Sequence, residues 1–226
     1  AARRLAFAHP EPPAADVPAE TVAPLARQLE EAIDAATGTA DETARTLYAN
    51  VVLGSIVHDL ALTRHLGLPL AEVDHAARRG PGFPGSVVAL GRTAQGVPWS
   101  LGWHFAADLP EYRETVTVHH ERGTIELSFA TPYVLNAPTA LSHTSGDDSL
   151  RSTRTESAWP QEEAFERELT ELVGLTPIAL PDGCDLLAAR RDLNSAQALW
   201  RACADTAGIM GDPSAESSGN IERNPS

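Results

Sequence analysis

Residues 47–67 read LYANVVLGSIVHDLALTRHLG, a stretch of helix length whose apolar side chains cover more than one face. A helix that is apolar on most sides packs inside a protein and not on its surface. We therefore expect this helix at the centre of the fold, with Asp41 or Thr39 capping its start. Gly67 is expected to end it in the left-handed conformation.

A histidine, His58, lies in the middle of this predicted helix, one turn after Gly54. Glycine in a helix interior costs about 1 kcal/mol relative to alanine, so Gly54 indicates close approach of another backbone or of a ligand. By composition alone, the more common explanation of His58 is a core histidine bonded to a neighbour. Asp59 projects about 100° away around the helix, so it is expected to cap or to form a salt bridge and not to pair with His58.

The charge balance excludes several classes of partner. The chain has 31 acidic and 17 basic side chains, a net charge of −14, and no lysine. An acidic surface repels nucleic acid and anionic membrane, so neither is an expected partner. Without lysine, Schiff-base chemistry is not available to this chain.

Two further observations concern where the protein works. No run of 18 apolar residues is present, so no transmembrane helix is expected. Cys184 and Cys203 are the only cysteines, which indicates a reduced cytoplasmic protein and not a disulfide scaffold.

The periodicity of the chain changes from helical to strand-like and back again. Helical spacing precedes residue 70, and alternation of period two follows it. This order predicts an α+β fold, with an open, largely antiparallel sheet and helices packed on one face. We assign residues 1–208 to this single domain and 209–226 to a disordered tail. Further helices are predicted at 20–37, 162–173 and 184–207, and strands at 3–8, 70–77, 86–92, 97–106, 114–120 and 124–129. Residues 150–155 are either one more strand or part of a mobile loop.

Aromatic and histidine side chains in the predicted strands give the first candidates for a site. Trp99 and Trp103 share one face of a strand, and such a pair is more often core than a stacking platform for a ligand. His119 and His120 are adjacent in a strand and point to opposite faces, so a metal site formed with His104 is disfavoured.

Two common catalytic or binding motifs are absent from the sequence. No Gly-rich phosphate loop lies between a strand and a helix, so no nucleotide site is indicated. No Gly-x-Ser-x-Gly elbow is present, so a serine hydrolase is not supported.

Three segments, in their order and spacing, resemble a known family. They are VHDLALTRHLG at 57–67, YRETVTVHHERGTIELSF at 112–129 and AFERELTELVGLTPIALPDGCDLL at 164–187. Together they resemble the C-terminal half of the glucose–fructose oxidoreductase, inositol dehydrogenase and MocA-like family. The matched segments are a minority of the chain, and no one of them is highly specific by itself.

The resemblance implies a fold and a function. Members join a dinucleotide-binding N-terminal domain to a C-terminal α/β domain with a large open sheet, and they transfer a hydride between a nicotinamide cofactor and a hydroxyl or carbonyl carbon of a sugar or cyclitol. It implies that His58 lies near the nicotinamide as acid/base or substrate ligand. It also implies self-association through the open sheet face.

The chain departs from the family at several positions. Many members have an aspartate where this chain has Gly54, and another where it has Ala61. The cofactor domain is missing, and with it the lysine that commonly takes part in proton transfer. A histidine can still act as a general acid or base near neutral pH, but it cannot bind a dinucleotide.

We therefore expect a C-terminal domain of an NAD- or NADP-dependent oxidoreductase that is inactive by itself and binds no cofactor alone. His58 is the expected catalytic residue, and Tyr48, Asn50 and Ser55 are expected to contact a small-molecule substrate, although Tyr48 could equally belong to the core. The alternative is a non-catalytic sheet module for oligomerisation or partner binding, favoured by Gly54 and by the missing lysine. A hydrolase or isomerase that uses His58 with Asp59 has no support beyond the pair itself.

Overall fold

The computed structural model describes residues 18–79, 84–106, 112–131, 137–146, 151–159, 169–170, 173–174 and 185–207. The chain divides into two compact units. The first consists of Ala1–Ala107 with Gly183–Ser226, and the second of Asp108–Asp182.

The first unit combines helices with a three-stranded sheet. Its central helix, Glu42–His65, has three parts: an α-helical start, a π-helical middle and an α-helical end. The three strands are antiparallel and follow one another in the order β1-β2-β3. The elements are α1 (Ala19–Thr37), α2 (Glu42–Leu47), the π segment (Tyr48–Ile56), α3 (Val57–His65), β1 (Leu70–Arg79), β2 (Ser86–Thr93), β3 (Pro98–His104) and α4 (Leu186–Ala207).

Local sequence signals explain where the helices begin and end. The Asp41 carboxylate accepts a hydrogen bond from the Thr43 backbone N–H at 3.0 Å, which confirms Asp41 as the cap of the central helix. Gly67 has a φ of 75°, and its N–H donates to the carbonyl of Arg64 at 2.9 Å, so it ends the helix as predicted. Gly38, with a φ of 63°, ends α1 in the same way.

The helices cover one face of the three-stranded sheet. Trp99, Leu101 and Trp103 on β3 are partly buried and pack against the core, whereas Ser100 and His104 on the opposite face are exposed. This alternation confirms the predicted faces of the strand and the core role of both tryptophans. The buried core contains Ala44, Leu47, Tyr48, Val51, Val52, Ile56, Leu60, Leu70, Ala76, Val87, Ala89, Ala196, Leu199, Trp200, Cys203 and Ala204.

The second unit is a four-stranded antiparallel meander in the order β4-β5-β6-β7. Its register places Val116, Val118 and Leu127 on one face and Thr115 and Thr117 on the other. None of the described residues in 112–131, 137–146 and 151–159 is fully buried. The strands are β4 (Glu114–His120), β5 (Gly123–Phe129), β6 (Ala140–Gly146) and β7 (Ser152–Ala158).

The α+β class and the antiparallel pairing of the strands are confirmed, but the strands form two sheets instead of one. Residues 105–113, which include Pro110, separate β3 from β4 and are too many for a tight hairpin turn. The predicted strand at 3–8, most of the predicted helix at 162–173 and the tail at 209–226 lie outside the described residues. The assignment of 1–208 to a single domain stays a prediction.

The central helix is less buried than its composition predicts. Only 33% of its most apolar window is buried, because one side of the helix faces outward. By length and composition alone it would also be able to cross a membrane, which contrasts with the expectation from the sequence. The helices that form the core of soluble proteins meet the same test, so this finding carries no argument for a membrane.

We expect replacement of Gly91 by alanine to destabilise the first unit. Gly91 is buried on β2, next to a register shift in β1, and an added Cβ would overlap the carbonyl oxygen of Glu72 and lie 2.9 Å from Leu70 Cδ1. The free energy of unfolding in urea should fall by about 1–3 kcal/mol, as for other overpacked cores.

Gly102→Ala is the matched control on β3. Its Cβ would meet only the mobile end of the His104 ring, at 3.0 Å, so the free energy should change by no more than about 0.5 kcal/mol. Equal losses for the two variants would contradict the assigned register.

Candidate functional site

The outward side of the central helix carries three exposed residues in a row: Asn50, Gly54 and His58. They follow one another at intervals of four, from the π segment into α3. The expectation that this helix would be buried on most sides is therefore wrong along this stripe. Its buried side is formed by Tyr48, Val51, Val52, Ile56 and Leu60.

His58 is exposed, so the explanation of a buried core histidine is wrong. Among the described residues, no hydrogen-bond or ion-pair partner of its imidazole is found. Its neighbours at intervals of three and four along the helix are Gly54, Ser55, Ala61 and Leu62, of which Ala61 and Leu62 are apolar and only half-buried. The side chain is therefore available to a ligand. A ligand that covers the apolar side chains next to it would displace water from them, which is favourable.

Tyr48 lies on the opposite side of the helix, within the core. Its hydroxyl donates to Gln197 Oε1 at 2.8 Å, and its ring meets that of Trp200 edge-on with centroids 5.5 Å apart. Burial raises the pKa of the Tyr48 phenol, and nearby Arg201 lowers it to a smaller extent. These contacts give Tyr48 a structural role, and its predicted contact with substrate stays a prediction.

Ser55 connects the helix to the sheet. Its hydroxyl accepts a hydrogen bond from Trp103 Nε1 at 3.0 Å. Both groups are partly buried, so the bond satisfies an indole N–H that would otherwise be costly to bury. Ser55 therefore fixes the orientation of the helix, whereas Asn50 remains exposed and available to a ligand.

The inward residues Tyr48 and Ser55 and the outward residues Asn50 and Gly54 all lie within the π-helical segment. The N–H of Val57 donates to the carbonyl of Val52, five residues earlier, which is the hydrogen-bond pattern of a π-helix. Such segments occur frequently at functional sites, and this one directly precedes His58. Gly54, a poor helix former, is the one feature of the sequence that indicates an irregular helix here, because apolar spacing cannot distinguish a π-helix from an α-helix.

Other groups with chemical potential lie elsewhere. Among the described residues, no cluster of three or more histidine, cysteine, aspartate or glutamate side chains that could hold a metal ion is found. In the second unit, His119 Nδ1 lies 3.2 Å from Thr124 Oγ1, and the rings of His120 and His143 stack with centroids 5.9 Å apart. These contacts place adjacent histidines on opposite faces of the sheet, as the sequence predicted.

The sequence did not reveal an ion pair near the C-terminal end of the central helix. Arg64 Nε and a terminal guanidinium nitrogen donate to the two carboxylate oxygens of Asp192 on α4, at 2.8 and 2.9 Å. Both side chains are largely buried, so this bidentate pair joins the two helices firmly. Sequence periodicity cannot identify partners that are so far apart along the chain.

The described part of the chain contains no Rossmann-type phosphate-binding unit. Both sheets are antiparallel meanders, without the strand–loop–helix unit that holds a pyrophosphate. The exposed groups on this stripe are an imidazole, His58, which can accept or donate a proton, and a polar amide, Asn50, about two turns earlier on the helix.

Comparisons with protein-family models, with curated proteins and with solved structures found no match to this chain. The resemblance described above therefore stays a prediction.

Cys203 does not belong to a reactive site, because burial raises the pKa of its thiol to about 11. The ordinary pKa of a cysteine thiol is 9.0. At a pH between 9.0 and about 11, Cys203 has therefore lost its proton in the unfolded chain but keeps it in the folded chain. The free energy of unfolding should therefore decrease as the pH rises above 9.0, and Cys203→Ser should lack this part of the pH dependence. Identical slopes for both proteins in urea unfolding at alkaline pH would contradict the assignment.

Proposed function

We propose that this chain is the substrate-binding and oligomerisation half of an NAD- or NADP-dependent oxidoreductase, and that His58 is its acid/base residue. The substrate is a small polyhydroxylated compound of the sugar or cyclitol class. The observation that carries the proposal is an exposed imidazole two residues after a π-helical segment, with the half-buried apolar side chains of Ala61 and Leu62 one turn further on.

The local geometry supports a reaction at this point. Gly54 has no side chain, and a Cβ placed there would contact only the Ala49 carbonyl, at 3.4 Å, so the surface beside His58 is open to a ligand. Asn50, on the same stripe, offers both a donor and an acceptor to substrate hydroxyls. Ala61 and Leu62, one turn after His58, provide an apolar surface that a docked domain or a sugar ring would cover.

The proposed step is the oxidation of an alcohol. The imidazole of His58 takes the proton of the substrate hydroxyl as the O–H bond breaks. The hydrogen on the same carbon leaves as hydride to an acceptor outside this chain, and the C=O bond forms. In the reverse direction, the imidazolium returns the proton to the new alkoxide.

In this proposal the acceptor is held by another domain or another chain, which agrees with the lack of a strand–loop–helix phosphate site among the described residues. This arrangement accounts for the apolar, half-buried surface around His58. It also means that the isolated chain should bind neither NADH nor NADPH. Fluorescence of the reduced cofactors, which changes on binding, tests this expectation directly.

We expect His58→Ala to lower turnover by about 10²–10⁴-fold in the complete oxidoreductase, measured with a panel of sugars and cyclitols and both nicotinamide cofactors. The side chain is exposed and has no bonding partner among the described residues. The free energy of unfolding should therefore change by no more than about 0.5 kcal/mol.

His65→Ala is the matched control, since His65 is an exposed histidine two turns further along the same helix. Its turnover should remain at the level of the unsubstituted enzyme, and added imidazole should restore part of the activity of His58→Ala only. A loss of activity in proportion to a loss of folded protein would contradict the role of His58.

A second candidate function, self-association by the second unit, has its own supporting observation. The apolar face of that sheet carries Val116, Val118, Ile125, Leu127, Phe129 and Leu141. None of these side chains is fully buried, and Ile125 is 38% exposed. An apolar sheet face of this kind is typical of a surface that another protein covers.

Val118→Glu should weaken self-association at least about tenfold, because the new carboxylate would be buried unpaired in the interface. Thr115→Glu, on the opposite face of the same strand and paired with Ser128, is the control and should leave association unchanged. Sedimentation equilibrium of the two variants measures the effect. If both variants associate as tightly as the original chain, the interface does not use this face.

A further inference from the structure

We propose that a groove between α3, the start of β1 and α4 binds a small organic monocarboxylate. The groove has a volume of about 340 Å³, at the lower end of the range for small-molecule sites. All of its lining residues belong to the first unit. His58 does not line it, so the inference does not depend on the proposed function.

The groove has an apolar floor between polar walls. Leu60 and Leu70 form this floor and are almost fully buried, and the half-buried Pro69 adds apolar surface that a short hydrocarbon chain would contact. The Ser195 hydroxyl donates to the Leu70 carbonyl at 3.3 Å, which joins α4 to β1 at this point. The groove therefore lies between elements that are tied together, a preformed site of the kind that small ligands use.

The charges at the groove favour an anion with one negative charge. Arg64 and Asp192 form a bidentate pair, and their charges cancel. Arg191 also lines the groove, is exposed, and has no ion-pair partner among the described residues. One net positive charge therefore remains, in a chain whose total charge is −14.

The available donors fit a carboxylate. The Arg191 guanidinium presents a planar fork that matches the two oxygens of a carboxylate, and the exposed amide of Asn194 adds a further donor. A phosphate monoester would bring a second negative charge close to Asp192, whose carboxylate is already paired. The ligand class is therefore a short-chain monocarboxylate whose head lies at Arg191 and whose tail lies on Leu60 and Leu70.

Titration of the full chain with hexanoate, followed by ligand-observed NMR, tests the proposal. We expect hexanoate to bind with a Kd on the order of 1 mM or tighter, and hexanol and hexyl phosphate to bind at least about tenfold more weakly. Arg191→Gln removes the charge at an exposed position and should weaken hexanoate binding about tenfold or more, while the far-UV circular dichroism stays unchanged.

Arg190→Gln is the matched control, because Arg190 is exposed, adjacent in sequence and does not line the groove. It should bind hexanoate as the unsubstituted chain does. If Arg190→Gln and Arg191→Gln weakened hexanoate binding equally, hexanoate would be attracted only by the overall charge of this surface. That result would overturn the proposal. It would also be overturned if hexanoate failed to bind the unsubstituted chain at about 10 mM, or if hexyl phosphate bound more tightly than hexanoate.

Discussion

The packing of the central helix against α4 is the interaction on which the first unit depends. Near one end, Tyr48 donates to Gln197, and Gln197 in turn donates to the Ala36 carbonyl at 2.6 Å, so three helices meet at one amide. Near the other end, Arg64 pairs with Asp192. Because both ends are held, the rotation of the helix about its own axis is fixed, and this rotation turns His58 outward.

The sequence was sufficient for most of the described elements, because their periodicity is regular. The predicted strand at 114–120 matches β4, and the helix predicted at 20–37 begins one residue later than α1. The strand β6 was missed, because its residues ALSHTSG are mostly polar and carry little strand signal. The division into two sheets depends on the connection between β3 and β4. The periodicity of the side chains does not predict the course of such a connection.

The sequence predicted which helix carries the candidate site, but not which of its side chains face outward. The spacing of Gly54 and His58 placed them on one face, which the structure confirms, but the exposure of that face was not expected. The spacing did not predict that the side chains of Tyr48 and Ser55 form hydrogen bonds towards the core, whereas Asn50 is exposed. The difference comes from the π-helical turn and from partners on α4 and β3, which are distant in sequence and become neighbours only in the fold.

The central claim is that this chain supplies the proton-transfer residue of an oxidoreductase while another domain supplies the hydride acceptor. The most direct test is to read the DNA immediately upstream of the codon for Ala1. The account predicts a continuous open frame that encodes a strand, a Gly-x-Gly-x-x-Gly loop and a helix, or such a domain encoded as a separate partner chain. A stop codon close to Ala1, with no separately encoded dinucleotide-binding partner, would contradict the enzymatic account and leave self-association as the function to pursue.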